Sequence, residues 1–177
     1  MLGEATKDYT SECFLIVPRA IGYYLSAFPV RVNRNKILTL TFENQLNRDY
    51  AAVLINSNVF YWYWRAFGDG FATNVGVIAR FPVPNISERL ITSAANRLFA
   101  NMESCVTYQN KWGDRIPNYN FNKKMDILLE IDDLIMKQVA PQLNLPYDIF
   151  AQYKSNSFLH PFNMSELVTA EEPEGDE

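Results

Sequence analysis

The sequence contains a single histidine, His160, and only two cysteines, Cys13 and Cys105, which lie far apart along the chain. A structural zinc site needs four cysteine or histidine ligands at short spacings, and a disulfide framework needs several cysteines. The sequence therefore predicts neither. It also lacks HExxH, GxSxG, GxGxxG and GxxxxGK[ST] segments, so no common metalloprotease, hydrolase or nucleotide-binding motif is present.

Long apolar runs are missing as well, because no uninterrupted stretch approaches the roughly 20 residues that a membrane-spanning helix needs. The beginning, Met1–Asp8, has no basic segment followed by an apolar one, so no secretory signal is visible. What is present is 48% hydrophobic residues and 20% charged residues, enough for one substantial core or two small ones. We expect a soluble, cytoplasmic protein without a membrane partner.

Charge is distributed unevenly, although the formal net charge is −4. Residues 13–84 carry seven basic and three acidic residues, whereas the tail from Glu166 to Glu177 has six acids and no base. Electrostatic fields are local and are screened within about 10 Å in ordinary salt. An acidic protein can therefore still present a basic face to a nucleic acid.

The N-terminal third has the composition of a small antiparallel β unit. Apolar, strand-forming residues occupy 12–17, 23–28, 30–32 and 37–42. The segment 33–36, Asn-Arg-Asn-Lys, separates the last two and predicts a polar, basic hairpin tip.

A helix is predicted over 47–66, with Asn47 as its N-cap, because 50–65 contains no glycine or proline. Phe60–Trp64 places aromatic side chains on all sides of this helix, so most of them must be buried. At most one of them, Tyr61 or Trp64, is expected to be available to a ligand. We interpret this helix as the central one.

The remaining chain alternates between loops and regular elements. In order, the pattern predicts a loop over 67–74, a strand over 75–81, an amphipathic helix over 86–106, a break over 111–120, a helix over 123–139 and a short helical piece over 146–153. The expected class is α+β: a small antiparallel β unit around a central aromatic-rich helix, followed by two longer amphipathic helices. The predicted organisation is an N-terminal extension (1–11), a β-rich core (12–84), a helical part (85–155) and an acidic, disordered tail (156–177).

Two groups of charged residues are given structural interpretations. Asp132 and Asp133 are adjacent on a predicted helix, where their side chains point about 100° apart, so they are expected to lie on a solvated face rather than to share a substrate. Arg48 either contacts phosphate or neutralises a nearby acid, and we favour the second interpretation.

One region carries more specific motifs. Asn56-Ser57-Asn58-Val59-Phe60-Tyr61 on the central helix leads into a loop with Gly68-Asp69-Gly70, and Phe81-Pro82-Val83-Pro84 precedes a long helix. Asn118-Tyr119-Asn120 is followed by a helix with Glu130-Ile131-Asp132. Over roughly 12–140, this arrangement resembles the C-terminal specificity region of N6-adenine DNA methyltransferases and of combined restriction–methylation enzymes.

The resemblance implies a target-recognition domain that binds double-stranded DNA and helps to hold the strand from which an adenine is flipped. Methyl transfer from S-adenosylmethionine would belong to a catalytic methyltransferase domain, in the same or a separate chain, and a nuclease in that parent enzyme stays an open alternative. The required Asn-Pro-Pro-Tyr-like motif and cofactor loop are absent, and Asn144-Leu145-Pro146-Tyr147 lacks the first proline. The chain alone is expected to be non-catalytic and without a cofactor.

The candidate DNA-binding residues are Arg31, Asn33, Arg34, Asn35, Lys36, Arg65, Asp69, Thr73 and Asn74. Arginine and lysine bind phosphates, while asparagine and aspartate can pair with base edges. The alternative is that 31–36 is a solvated turn and 69–74 an ordinary loop. The competing function is a protein-interaction module, in which the aromatic helix and the amphipathic helices dock a larger partner.

Overall fold

The computed structural model describes residues 13–20, 24–111 and 114–141. Within these ranges the predicted α+β class is confirmed, with two small antiparallel sheets and six α-helices. The strands are β1 (Phe14–Pro18), β2 (Ile37–Thr41), β3 (Val106–Lys111) and β4 (Asp114–Tyr119). The helices are α1 (Gln45–Asn56), α2 (Asn58–Phe67), α3 (Val75–Arg80), α4 (Glu88–Ala100), α5 (Met102–Cys105) and α6 (Met125–Val139), the last preceded by a 3-10 turn, Phe121–Lys124. No helix in the described part is both long and apolar enough to cross a bilayer.

The first sheet forms between β1 and β2, which correspond to the strands predicted at 12–17 and 37–42. Their antiparallel register places Phe14 opposite Thr41 and Pro18 opposite Ile37. The predicted hairpin with its tip at 33–36 is wrong, because β2 pairs with β1 and not with 30–32. Between 24 and 32 the chain joins this sheet only through a bridge from Phe28 to Ile16, so 33–36 is a loop that enters β2.

The predicted central helix is two helices, α1 and α2, which meet at Ser57. Asn47 is not the N-cap, because the Asn44 side chain accepts a hydrogen bond from the Asn47 backbone N–H at 2.9 Å. The Ser57 hydroxyl likewise accepts the Phe60 N–H at 2.9 Å and begins α2. Short polar side chains that bond to nearby backbone groups start helices in this way.

The strand predicted at 75–81 is wrong, since Val75–Arg80 forms the short helix α3. The Asn74 side-chain oxygen accepts the Val77 N–H at 2.9 Å, and Val77 is buried on the inner side of the turn. β-Branched residues favour strands only weakly when no partner strand is present, so the N-cap decides the local structure.

The helix predicted at 86–106 ends earlier, as α4 and α5, and the expected break at 111–120 belongs to a hairpin. β3 and β4 pair in antiparallel register from Val106 opposite Tyr119 to Lys111 opposite Asp114. The helix predicted at 123–139 is confirmed as α6 with its preceding turn. The predicted extension (1–11), the helical piece at 146–153 and the tail (156–177) lie outside the described residues.

The core lies where α1 packs against α4 and α2 packs against α6. Phe60, Tyr61 and Trp64 are buried in it, which confirms that most of the aromatic block is core. The exposed member, however, is Trp62, with 45% of its surface accessible, and not Tyr61 or Trp64. The Trp64 indole N–H donates to the Ala72 carbonyl at 3.1 Å and thereby attaches the following loop to the core.

Candidate nucleic-acid interface

The Asn56-Ser57-Asn58 motif serves the fold. The Asn56 side chain accepts the Ala27 N–H at 3.0 Å and donates to the Ala27 carbonyl at 2.9 Å. The amide thus bonds to both backbone groups of Ala27, as a neighbouring strand would do. The Asn58 side-chain amide donates to Asp132 at 2.7 Å. The motif that carries the resemblance is therefore buried and joins α1 and α2 to the rest of the core.

Asp132 differs from the sequence prediction. Its side chain is completely buried and accepts the backbone N–H groups of Asn58 and Val59 at 2.9 and 3.3 Å. A solvated position is therefore wrong for Asp132, because a carboxylate can be buried when the N-terminus of a helix donates to it. Asp133, which pairs with Lys137 one turn later, was also expected on a solvated face and is partly exposed.

Arg19 joins the two segments that contain the candidate DNA-binding residues. Its backbone N–H donates to the Lys36 carbonyl at 2.8 Å, and its carbonyl accepts the Thr73 N–H at 2.9 Å. A bridge between Ala20 and Ala72 adds to this junction. We refer to Arg19, residues 31–36, Arg65 and residues 68–74 together as the rim.

In the first rim segment, Arg31, Asn33, Asn35 and Lys36 are exposed. The Arg31 guanidinium lies 4.5 Å from the centroid of the Phe14 ring, which orients it without neutralising it.

Arg34 is half-buried and donates from Nη1 to the Asn118 side-chain oxygen at 2.8 Å. Burial raises the pKa of the Tyr24 hydroxyl, and a hydrogen bond with Thr107 and the Arg34 charge oppose that rise. The Arg34 side chain thus connects the rim to the β3–β4 hairpin.

The second rim segment is shaped by its own hydrogen bonds. Arg65 donates to the Gly70 carbonyl at 3.1 Å, and Gly70 has φ of 73°, which a side chain would disfavour. The exposed Asp69 carboxylate accepts the N–H groups of Phe71 and Ala72 at 2.9 and 2.8 Å, and these bonds lower its pKa. The side chains of Asp69 and Arg65 therefore stabilise the conformation of the loop through hydrogen bonds to its backbone.

Two candidates in this segment have limited access to a ligand. Thr73 is completely buried, so its side chain does not reach solvent. Asn74 is exposed, but its side-chain oxygen already caps α3. The side-chain groups on this side that an external ligand can reach are therefore those of Arg19, Arg65 and Asp69 and the remaining amide donors of Asn74.

The rim cations have no carboxylate within ion-pair distance among the described residues. The ion pairs found there are Arg48–Asp49, Arg97–Glu130 and Lys137–Asp133. The first confirms that Arg48 neutralises a neighbouring acid, since the two atoms lie 2.6 Å apart and both side chains are buried. Within the described ranges, the positive charge of the rim is therefore not neutralised by an ion pair.

Sequence reasoning missed Arg19 and the exposed face of the β3–β4 hairpin. Arg19 was counted in the basic segment, but its position between 36 and 73 depends on backbone contacts that no local pattern reports. The strand-forming residues of 106–108 and the Arg115-Ile116 pair could have indicated the hairpin. They were assigned instead to the end of a helix and to a break.

An apolar groove lies beside α1 and α3. It encloses about 410 Å³ and is lined by Tyr50, Leu54, Ile78, Phe81 and Val83, among others. Val83, one of these residues, has 71% of its surface accessible. An apolar groove with an exposed apolar side chain is typical of a protein-docking surface.

The chain matches no protein-family model, no curated protein and no solved structure. In the described ranges, no three histidine, cysteine, aspartate or glutamate residues are grouped to hold a metal ion.

Proposed function

We propose that this chain is a DNA-binding target-recognition module that gives sequence specificity to an N6-adenine DNA methyltransferase or restriction–methylation enzyme. The observation that carries the proposal is the junction at Arg19, whose backbone hydrogen bonds join Lys36, at the end of the basic segment 31–36, to Thr73 in the loop 68–74. The catalytic domain, with its S-adenosylmethionine, would lie outside these 177 residues. The motifs over 56–61 and 81–84 support this parent enzyme by resemblance.

Duplex DNA fits the rim because the rim combines amides with cations that form no ion pair within the described part of the chain. Arg19, Arg31 and Lys36 are exposed and can each displace a counterion from a phosphate. Asn33 and Asn35 alternate with them and offer donors and acceptors to sugar or base edges. Such a surface binds phosphates first and gains specificity from the few groups that reach bases.

The test is a titration of the full chain with a labelled DNA duplex at increasing salt concentration, followed by fluorescence anisotropy. Lys36→Ala and Arg31→Ala should each weaken binding and reduce the slope of log K against log salt by about 0.9. Arg89→Ala is the matched control, because Arg89 is an exposed cation on α4 outside the rim. Absence of duplex binding at low salt, or equal losses for Arg89→Ala, would overturn the proposal.

The alternative function, a protein-interaction module, is favoured by one observation, the apolar groove with exposed Val83 at its edge. In that case Val83→Ser should weaken association with a separately produced catalytic domain. The wild-type chain would then show no affinity for DNA, even at low salt. Measuring both properties on the same preparation discriminates between the two functions.

A further inference from the structure

The β3–β4 hairpin is a two-stranded ribbon of six residues on each strand. Within the described ranges these two strands pair only with each other. Side chains alternate between the faces of a strand, so the register places one set of residues on the same face, with Asn110 directly opposite Arg115: Val106, Tyr108, Asn110, Arg115, Pro117 and Tyr119. Val106 and Tyr119, at the base, pack against the core, and the outer part of this face is the ribbon face. This ribbon face therefore combines an amide, a guanidinium and an aromatic ring.

The polar groups of the ribbon face are accessible to solvent, and the Arg115 side chain is held in place by stacking on Tyr108. Tyr108 is 49% exposed, and Asn110 and Arg115 are exposed. The Arg115 guanidinium lies 3.8 Å from the centroid of the Tyr108 ring. Stacking on an aromatic ring restricts the guanidinium plane and leaves its N–H edge available for two parallel hydrogen bonds.

The base of the ribbon is held by the core and by the rim. Tyr119 is buried, with its ring centroid 4.5 Å from that of Phe28. The Asn118 side-chain oxygen accepts from Arg34 at 2.8 Å, and its carbonyl accepts the Thr107 hydroxyl at 3.1 Å. The ribbon face is thus fixed relative to the phosphate-binding groups of the rim.

Among the grooves of a DNA duplex, the major groove fits such an element best. The major groove of B-DNA, about 12 Å wide, admits a two-stranded ribbon, whereas the minor groove is about 6 Å wide. Neighbouring strands of the ribbon lie roughly 4.8 Å apart before side chains are added. The major groove of an RNA duplex is too deep and narrow for side chains to read.

We propose that the β3–β4 ribbon is the sequence-reading element of this module and enters the major groove of duplex DNA. Arg115 donates two hydrogen bonds to a guanine edge, and Asn110 pairs with the edge of an adenine in an adjacent base pair, as these side chains do when they read bases directly. The rim holds the flanking phosphates. This inference rests on the proposed function and goes beyond it by assigning base recognition to residues that the rim does not contain.

The test starts with selection by the full wild-type chain from a pool of DNA duplexes with a randomised centre. Binding of the variants to the selected duplex, and to duplexes changed at one base pair, is then measured. Arg115→Ala should reduce discrimination at a G·C pair by about 10-fold or more, and Asn110→Ala should do the same at a neighbouring A·T pair. Affinity for unrelated duplexes at low salt should change much less for Asn110→Ala.

The Arg115→Lys variant distinguishes a loss of base recognition from a loss of positive charge and from a failure to fold. It keeps the positive charge but lacks the planar fork, so it should lose discrimination while the salt dependence of binding is preserved. Arg89→Ala and Asn96→Ala on α4 are the matched controls, because both positions are exposed and lie outside the rim and ribbon. They should leave the selected sequence unchanged.

The outcomes distinguish the two proposals. Loss of discrimination in Arg115→Lys with retained DNA affinity supports the ribbon as the reading element. DNA binding with unchanged discrimination in all ribbon variants overturns the inference and leaves the proposed function standing. No DNA binding by the wild-type chain overturns the proposed function itself, and preferential binding to an RNA duplex overturns the major-groove geometry.

Discussion

Asp132 on α6 accepts hydrogen bonds from the backbone and the side chain of Asn58, at 2.9 and 2.7 Å, across 74 positions of sequence. The carboxylate therefore lies at the N-terminus of α2, where a negative charge is favourable. Because α2 carries the buried Trp64 and leads into the rim loop, this pair connects the helical core to the candidate interface.

Replacing Asp132 should destabilise the whole fold. Asp132→Ala leaves the Asn58 amide and backbone N–H groups buried without these bonds, at an expected cost of about 3 kcal/mol in the free energy of unfolding. Asp133→Ala, one position later, removes a partly exposed pair with Lys137 and should cost about 0.5 kcal/mol or less. Urea unfolding followed by circular dichroism checks the difference, and similar midpoints for the two variants would contradict it.

Arg48 should behave as a structural cation. It is buried, pairs with Asp49 and lies 5.0 Å from the centroid of the Phe99 ring. Arg48→Ala leaves a buried carboxylate without this partner and should cost about 3–5 kcal/mol, whereas Arg97→Ala breaks an exposed pair with Glu130 and should cost less than about 1 kcal/mol.

Thermal unfolding at low and high salt checks the Arg48 prediction. Salt screens exposed pairs more than buried ones, so added salt should reduce the contribution of the Arg97 pair and leave that of Arg48 nearly unchanged. A destabilisation by Arg48→Ala that disappears in high salt would show that the pair is solvated.

The loop after α2 should loosen at acid pH because of Asp69. Hydrogen bonds from Ala72 and Phe71 lower its pKa from the ordinary 3.8, so the folded loop prefers the charged form. The stabilisation is therefore complete well above pH 3.8 and is lost as the pH falls through the lower, folded pKa.

NMR titration of the Phe71 and Ala72 amide protons measures this transition. Its midpoint should lie below 3.8. Asp69→Asn is the control, since an amide oxygen still accepts both bonds but does not ionise. The Asp69-dependent change should therefore be absent in that variant, and a midpoint above the ordinary value would refute the assigned cause.

Gly68 should tolerate no side chain, although its φ is negative. An added Cβ would lie 2.5 Å from the Trp64 carbonyl oxygen, which also accepts the Gly68 N–H. Gly68→Ala should therefore cost about 1–3 kcal/mol by displacing the end of α2. Ala66→Ser, at an exposed position of the same helix, is the control, and equal unfolding temperatures for the two variants would contradict the steric cause.

Local patterns identified the elements whose partners lie nearby or whose periodicity is strong. The apolar repeat of α6 and the strand-forming residues of β1 and β2 were sufficient for their positions. Helix boundaries were less predictable, because Asn44 and Ser57 act as N-caps only in the observed backbone geometry. The short α3 was assigned to a strand because its apolar residues carry no clear period.

The candidate interface was only partly predictable, because it also depends on contacts between segments that are distant in sequence. The basic composition of 31–36 is a property of the chain, so the sequence sufficed to select Arg31 and Lys36. The junction of Lys36 with Thr73 depends on the backbone bonds of Arg19 to both residues, and the Arg34–Asn118 bond spans 84 positions.

The sequence by itself determined the α+β class, the burial of most of the aromatic block and the local excess of positive charge. Tertiary structure decided that β2 pairs with β1, that Arg48 and Asp132 are buried with partners, and that the ribbon face and the rim are joined. Periodicity and composition indicate which side chains of a segment are buried in the core and which face solvent. Which distant segment supplies its hydrogen-bond partner is settled only when the whole chain packs, because buried polar groups must then find partners with each other instead of water.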